Sequence, residues 1–188
     1  MSCNYTDLIT ELLKNTSERE WFEFKTNNPL IEDMGEYISA LANSACLLGK
    51  KFSYIIWGIS DNREVVGTTF DPHCMKKGNQ DVENWLQQMI KPSINFCFNK
   101  INYNGKNLVI MTIPSAISEP IKFRNISYIR IGSHNNKLID YPDRERGLWN
   151  ILLHKNFEDE IAKDSLSYDE ICTLLDFAKY YEILKLPL

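Results

Sequence analysis

The chain lacks several features that would have settled its class at once. Its 188 residues include five cysteines, at Cys3, Cys46, Cys74, Cys97 and Cys172. They are odd in number, widely spaced and form no C-x-x-C pair, which argues against a disulfide framework or a zinc cluster and fits a reducing compartment. Cys46 and Cys97 stand in apolar surroundings and read as small hydrophobes. His73, His134 and His154 are isolated, with no metal-ligand spacing and no Ser-His-Asp or Cys-His arrangement. Gly58, Gly67 and Gly132 form no phosphate-loop pattern. No stretch approaches the ~18 apolar residues of a membrane span, and no basic segment followed by an apolar run opens the chain. These absences predict a soluble, cytoplasmic protein with no membrane partner. Excess positive charge is missing too. The net charge is −4 and the pI about 5.4, so any nucleic-acid reading must rest on a local basic patch working against the overall sign.

What remains is an ordinary globular composition, 44% hydrophobic, enough for a full core. Thr6 to Asn15 reads as a helix capped by Thr6, with Leu8, Ile9, Leu12 and Leu13 as its stripe. A strand follows from Trp21 to Lys25, and then a turn at Asn27-Asn28-Pro29. Ile31 to Leu48 is predicted as a long helix buried through Met34, Ile38, Leu41, Ala45 and Leu48. Its small residues (Ser39-Ala40-Leu41-Ala42-Asn43-Ser44-Ala45) invite close approach of a neighbour, and Gly49 suits its C-terminal cap. Phe52–Ile59 and Glu64–Phe70 read as strands around the turn Ser60-Asp61-Asn62-Arg63. Strand, helix, strand in this order predicts parallel pairing with a right-handed crossover.

Residues 74–90 read as a further helix with Val82, Trp85, Leu86 and Met89 on one stripe. Ile94–Tyr103 and Lys106–Pro114 form a hairpin at Asn104-Gly105. Ile121–Phe123 and Tyr128–Ile131 are short strands with Arg124-Asn125 between them, and Pro142 opens a helix. The fold class is therefore α/β of the mixed kind: a β-α-β unit plus antiparallel hairpins in a mixed sheet, with flanking helices. The division expected is a domain over 1–155 and a helical extension over 156–188, with a helix from Tyr168 to about Tyr181. The apolar finish, Ile183 to Leu188, reads as the start of a region cut from a longer protein.

Two clusters carry possible chemistry. In Glu18-Arg19-Glu20-Trp21-Phe22-Glu23-Phe24-Lys25, strand alternation points Phe22 and Phe24 inward and displays Trp21, Glu23 and Lys25 on the open face. Asp61 follows the next strand. If that strand lies parallel to the first, Glu18, Glu23 and Asp61 converge as hard oxygen ligands for Mg²⁺ or Mn²⁺, with Lys25 positioned to stabilise a phosphoryl charge. The same residues equally suit a solvated strand end and a turn. The second cluster is basic: Lys122, Arg124, Arg130, His134 and Lys137, with Arg144 and Arg146 nearby. Phe123, Tyr128, Asn125, Asn135 and Asn136 are interleaved with them, a mix that suits phosphate contacts and base stacking. It also suits the charged edge of a hairpin.

Glu18-x-Glu20-x-x-Glu23-Phe24-Lys25, Ile38 to Ser44, Gly58-Ile59-Ser60-Asp61, Val66-Gly67 and Tyr128-Ile129-Arg130-Ile131-Gly132-Ser133 together resemble the Schlafen-type, AlbA-like domain over about residues 15–150. The pair Lys50-Lys51 follows Gly49 where that family often has Gly-Gly. The resemblance implies a mixed α/β domain that binds DNA or RNA. Among bacterial members this is a DNA-binding or transcriptional-regulator module at the N-terminus of a longer protein. In animal members a three-carboxylate site cleaves structured RNA with a divalent metal, and the matching positions are Glu18, Glu23 and Asp61, with Lys25 beside them. Three functions follow as alternatives: a nucleic-acid-binding domain with metal-dependent endoribonuclease activity, a binding-only regulator module, and a scaffold or homo-oligomerisation module.

Overall fold

The structure is a computed structural model and describes residues 5–14, 20–27 and 30–154. Glu18, the helix expected from Tyr168 and the extension expected over 156–188 lie outside the described residues. Along the chain come α1 (Tyr5–Lys14), β1 (Phe22–Lys25), α2 (Ile31–Leu47), β2 (Phe52–Trp57), β3 (Lys76–Lys77), β4 (Gln80–Asp81) and α3 (Val82–Met89). Then follow β5 (Ile90–Lys91), β6 (Cys97–Tyr103), β7 (Lys106–Pro114), β8 (Lys122–Phe123), β9 (Ile126–Ile131), β10 (His134–Lys137) and α4 (Pro142–His154).

The first sheet runs β1-β2-β7-β6. β1 and β2 are parallel, with Glu23 opposite Ile55 and Lys25 opposite Trp57, while β7 is antiparallel to both of its neighbours. This is the expected β-α-β unit with a hairpin added. Period-two alternation divides the sheet between two cores. Phe22, Phe24, Tyr54, Ile56, Leu108 and Ile110 pack with Ile9 and Leu12 of α1. On the other face, Ile55, Trp57, Val109, Met111 and Ile113 join the larger core built on α2, α3 and α4. The second sheet, β10-β9-β8-β5, is antiparallel throughout.

α2 holds the two sheets together, and its small residues explain how. β9 pairs with β10 along one edge. Along the other edge, β8 covers only Ser127 and Ile126. The backbone groups beyond that point are taken by side chains of α2: Tyr128 N–H donates to Ser39 Oγ (2.9 Å), Arg130 N–H donates to Ser44 Oγ (3.0 Å), and Asn43 Nδ2 donates to Tyr128 O (2.9 Å). Asn43 also donates to Ile121 O (2.9 Å) and accepts from Ile121 N–H (2.8 Å). The helix stands in for a missing strand, so buried backbone polar groups stay paired. Close approach recurs at Gly35, where a Cβ would collide with the Phe123 ring. α2 ends as its sequence suggests. Gly49, at φ 63°, donates to Cys46 O, and Lys50 N–H donates to Ala45 O, the paired bonds of a glycine-terminated helix.

Several sequence expectations are corrected. Glu64–Phe70 is not a strand: only an isolated bridge joins Ile59 to Val65. Val66 and Gly67 N–H both turn back to Gly58 O, and Gly67 sits at φ 83°, which breaks extended geometry. The helix over 74–90 is confined to Val82–Met89, because Gly78 at φ 62° turns the preceding residues into the β3-β4 hairpin. β10 had been read only as a basic segment. Cys46 is buried as expected, whereas Cys97 is exposed at the start of the edge strand β6.

Candidate functional site

Glu23 lies in the middle of β1, on the face opposite Phe22 and Phe24. That face is not open, because α2 and β9 cover it and leave Glu23 3% exposed. Its Oε2 accepts from Arg130 Nη2 at 2.5 Å, and Arg130 has no exposed surface. Its Oε1 lies 2.5 Å from Lys25 Nζ and accepts from the Tyr37 hydroxyl at 3.2 Å. The Tyr37 ring takes both cations on its face, with Lys25 5.1 Å and Arg130 5.5 Å from the centroid. Arg130 Nη1 further donates to Asn135 Oδ1 of β10 at 3.4 Å.

A buried carboxylate is tolerable only when paired and hydrogen-bonded, and here both oxygens are. The stretch Glu23–Lys25 and the stretch Tyr128–Ser133, far apart in sequence, therefore meet as one ionic cluster. Partial burial of Lys25 disfavours its ammonium, but the hydrogen bonds to Glu23 and Tyr37 outweigh this and hold its pKa above the ordinary lysine value.

Three expectations change at this point. Glu23 is not displayed on an open face. Arg130 is interior and presents no surface to a phosphate. Trp21 precedes β1 and packs edge-on to Phe22 (5.2 Å) and Tyr54 (6.1 Å), away from Glu23. Asp61 is exposed at the tip of the turn after β2. Among the described residues no group of three histidine, cysteine or acidic side chains is placed to hold a metal ion. A cation at Glu23 would also have to displace the buried Arg130 guanidinium or the Lys25 ammonium. The described members of the Glu18, Glu23, Asp61 set do not fit a metal as they stand.

The second sheet carries the basic residues. Lys122 on β8 is half-exposed, 3.4 Å from Glu119. Arg124, in the β8-β9 turn at φ 49°, is half-exposed and 3.8 Å from Glu32 of α2. His134 and Lys137 are exposed on β10. Register adds a residue that spacing alone did not reveal: Lys91 of β5 stands directly opposite Lys122. Lys77 joins from β3, 2.5 Å from Glu32, and with Arg124 flanks the Trp85 ring at 5.8 and 5.2 Å. Among the described residues Lys91 has no ion-pair partner, and like charges placed opposite each other destabilise a sheet. Arg144 instead reaches Glu20 at 3.2 Å, and Arg146 lies 3.4 Å from Asp143. Phe123 and Tyr128 are 3% and 9% exposed, so neither ring is open for base stacking.

Residues 18–139 match the family model described as Schlafen, AlbA_2. The chain belongs to the Schlafen AlbA_2 family. Family membership supports a nucleic-acid-related function for this AlbA_2 domain. Among solved structures, the DIP2311 protein of Corynebacterium diphtheriae matches at 17% identity and a TM-score of 0.41, over 71% of this chain and 26% of that one. The chain thus spans about a quarter of that protein. The N-terminal domain of a RecG-related protein from Nitrosomonas europaea matches at 24% identity and a TM-score of 0.43, over 70% of this chain and 90% of that one. No curated protein matches the chain. Among the described residues of the AlbA_2 domain, no helix is long and apolar enough to cross a membrane.

Tyr37, Lys77 and Lys91 are the residues that sequence reasoning missed. Tyr37 left a signal, since it follows Met34 by three places and so occupies the same helix face. Lys77 and Lys91 left none, because strand register alone sets Lys91 opposite Lys122, and tertiary contacts with Glu32 and Trp85 alone bring Lys77 to Arg124.

Proposed function

We propose that this AlbA_2 domain is a nucleic-acid-binding module of a regulator, and that Glu23 serves its architecture and not a metal. The observation that carries this reading is the pairing of both Glu23 oxygens with Arg130, Lys25 and Tyr37 in the interior. The cationic strip Lys91, Lys122, Arg124 and Lys77 is the surface that meets the phosphate backbone, with His134 and Lys137 exposed on β10 of the same sheet. In a chain of net charge −4, such a strip supports binding through local field and not through bulk attraction. Phosphate contacts of this kind fix register without reading sequence.

The test is a salt titration of binding to single-stranded RNA, single-stranded DNA and duplex DNA, together with incubation of transfer RNA with Mn²⁺ and the wild-type or Asp61→Ala domain. The reading expects salt-dependent binding and intact RNA in both lanes. Cleavage by wild type that Asp61→Ala abolishes supports the endoribonuclease instead. Absent or salt-insensitive binding supports the scaffold.

A further inference from the structure

Where β1 and β2 end and α2 begins, a cleft of about 250 Å³ opens beside the ionic cluster. The ends of parallel strands next to a following helix are where open α/β sheets place ligands. Leu30, 70% exposed, and the Tyr37 ring give this cleft apolar walls. Lys25, Asn27 and Asp33 supply an ammonium, an amide and a carboxylate. Trp57 also lines it, is 1% exposed, and has an indole N–H with no hydrogen-bond partner among the described residues. Buried indole donors normally find an acceptor. The cleft is smaller than the usual drug-sized pocket of roughly 300–1,000 Å³.

Its position relative to the basic strip matters as much as its lining. Glu32 and Asp33 are neighbours in the first turn of α2. Glu32 holds Lys77 and Arg124 of the strip, while Asp33 lines the cleft. The Lys77 and Arg124 end of the strip and the cleft thus meet at the same first turn of α2.

We propose that the cleft receives one unstacked nucleobase of the strand that the basic strip holds, a deepening that rests on the nucleic-acid-binding reading above. Leu30 and Tyr37 contact the faces of the base. Asp33, an acceptor only, takes an exocyclic amino group. Asn27, exposed at the rim, completes the edge, and Lys25 meets the adjoining phosphate. A carboxylate at this position favours bases with an exocyclic amino group, adenine, cytosine and guanine, over uracil, which has none. A base can enter only from a single strand or by leaving its stack.

The experiment measures binding of the whole chain to fluorescently labelled oligo(A), oligo(C) and oligo(U), and to a duplex of mixed sequence, with free AMP as competitor. Variants are Asp33→Asn, Asn27→Ala and Lys122→Ala, each with its Tm recorded. The expected result is oligo(A) or oligo(C) bound about tenfold more tightly than oligo(U) and than duplex, the size of one good edge contact. Asp33→Asn should shrink that preference without changing the salt slope, Asn27→Ala should weaken oligo(A) at unchanged Tm, and Lys122→Ala should weaken every strand equally. Equal affinity for all three oligomers in wild type, with Lys122→Ala still weakening them, overturns the cleft while leaving the strip. Free AMP competing as well as oligo(A) overturns the strand-borne source. A wild-type chain that binds no nucleic acid overturns the underlying reading.

Discussion

Glu23 and Arg130 offer the most demanding test of the interior as described. Removing one partner of a buried ion pair costs about 3–5 kcal/mol, because the survivor is left charged in a poor solvent. The two single variants should differ within that range. Arg130→Met leaves Glu23 with the half-exposed Lys25 ammonium and the Tyr37 hydroxyl, so the loss should be near the lower figure, about 3 kcal/mol. Glu23→Gln leaves a fully buried guanidinium without the carboxylate charge that balances it, so the loss should be near the upper figure, about 5 kcal/mol. For a chain of this size each kcal/mol moves Tm by about 2–4 °C, which makes the two shifts separable by scanning calorimetry. The double variant removes both charges and should recover about 2–3 kcal/mol relative to the sum of the singles. Urea unfolding followed by tryptophan fluorescence gives each free energy. Single losses below about 1 kcal/mol that add without coupling are what exposed pairs give, and would refute the buried cluster.

Asn43→Ala should cost about 3 kcal/mol or more, since it strips hydrogen bonds from three buried backbone groups of Ile121 and Tyr128 at once; urea unfolding measures it. Gly35→Ala forces a methyl group against the Phe123 ring and should cost about 1–3 kcal/mol by overpacking, again by urea unfolding. Stability should fall in alkali. The pKa values of Lys25 and Tyr128 are both raised in the folded state, the latter by burial and a hydrogen bond with Glu36, so their contribution is present below the ordinary values of about 10 and is lost as pH rises through the raised ones. Thermal melts of wild type and Lys25→Met from neutral pH upward should converge at the alkaline end. At the acid end, the Lys77 hydrogen bond lowers the Glu32 pKa and the Lys100 hydrogen bond lowers that of Asp71. Both contributions are present above the ordinary carboxylate values and should be lost as pH falls below them through the lowered ones.

The order of elements was largely legible because it rests on local signals. The leucine stripe of α1, the Gly49 terminus of α2 and the Asn104-Gly105 turn each follow from nearest-neighbour chemistry. Glu23 was misjudged for a physical reason. Alternation tells which residues share a face, not what covers that face, and the cover comes from α2 and from a strand about a hundred residues later. Arg130 carried the same ambiguity, since a cation amid β-branched residues reads alike whether it is an edge guard or a buried partner. Glu64–Phe70 had strand composition, but its backbone bonds turn back on Gly58 and leave no room for a ladder. The strip was legible at Lys122 and Arg124 and not at Lys91, whose place is set by the β5-β8 pairing alone.

The most direct measurement of the central claim is the salt dependence of binding to a single-stranded oligonucleotide, wild type against Lys91→Ala/Lys122→Ala. If the four strip cations Lys77, Lys91, Lys122 and Arg124 each meet a phosphate, the log–log slope should be about −3, and the double variant should bring it to about −1.5. A wild-type slope near zero, or one that the double variant leaves unchanged, would contradict the account.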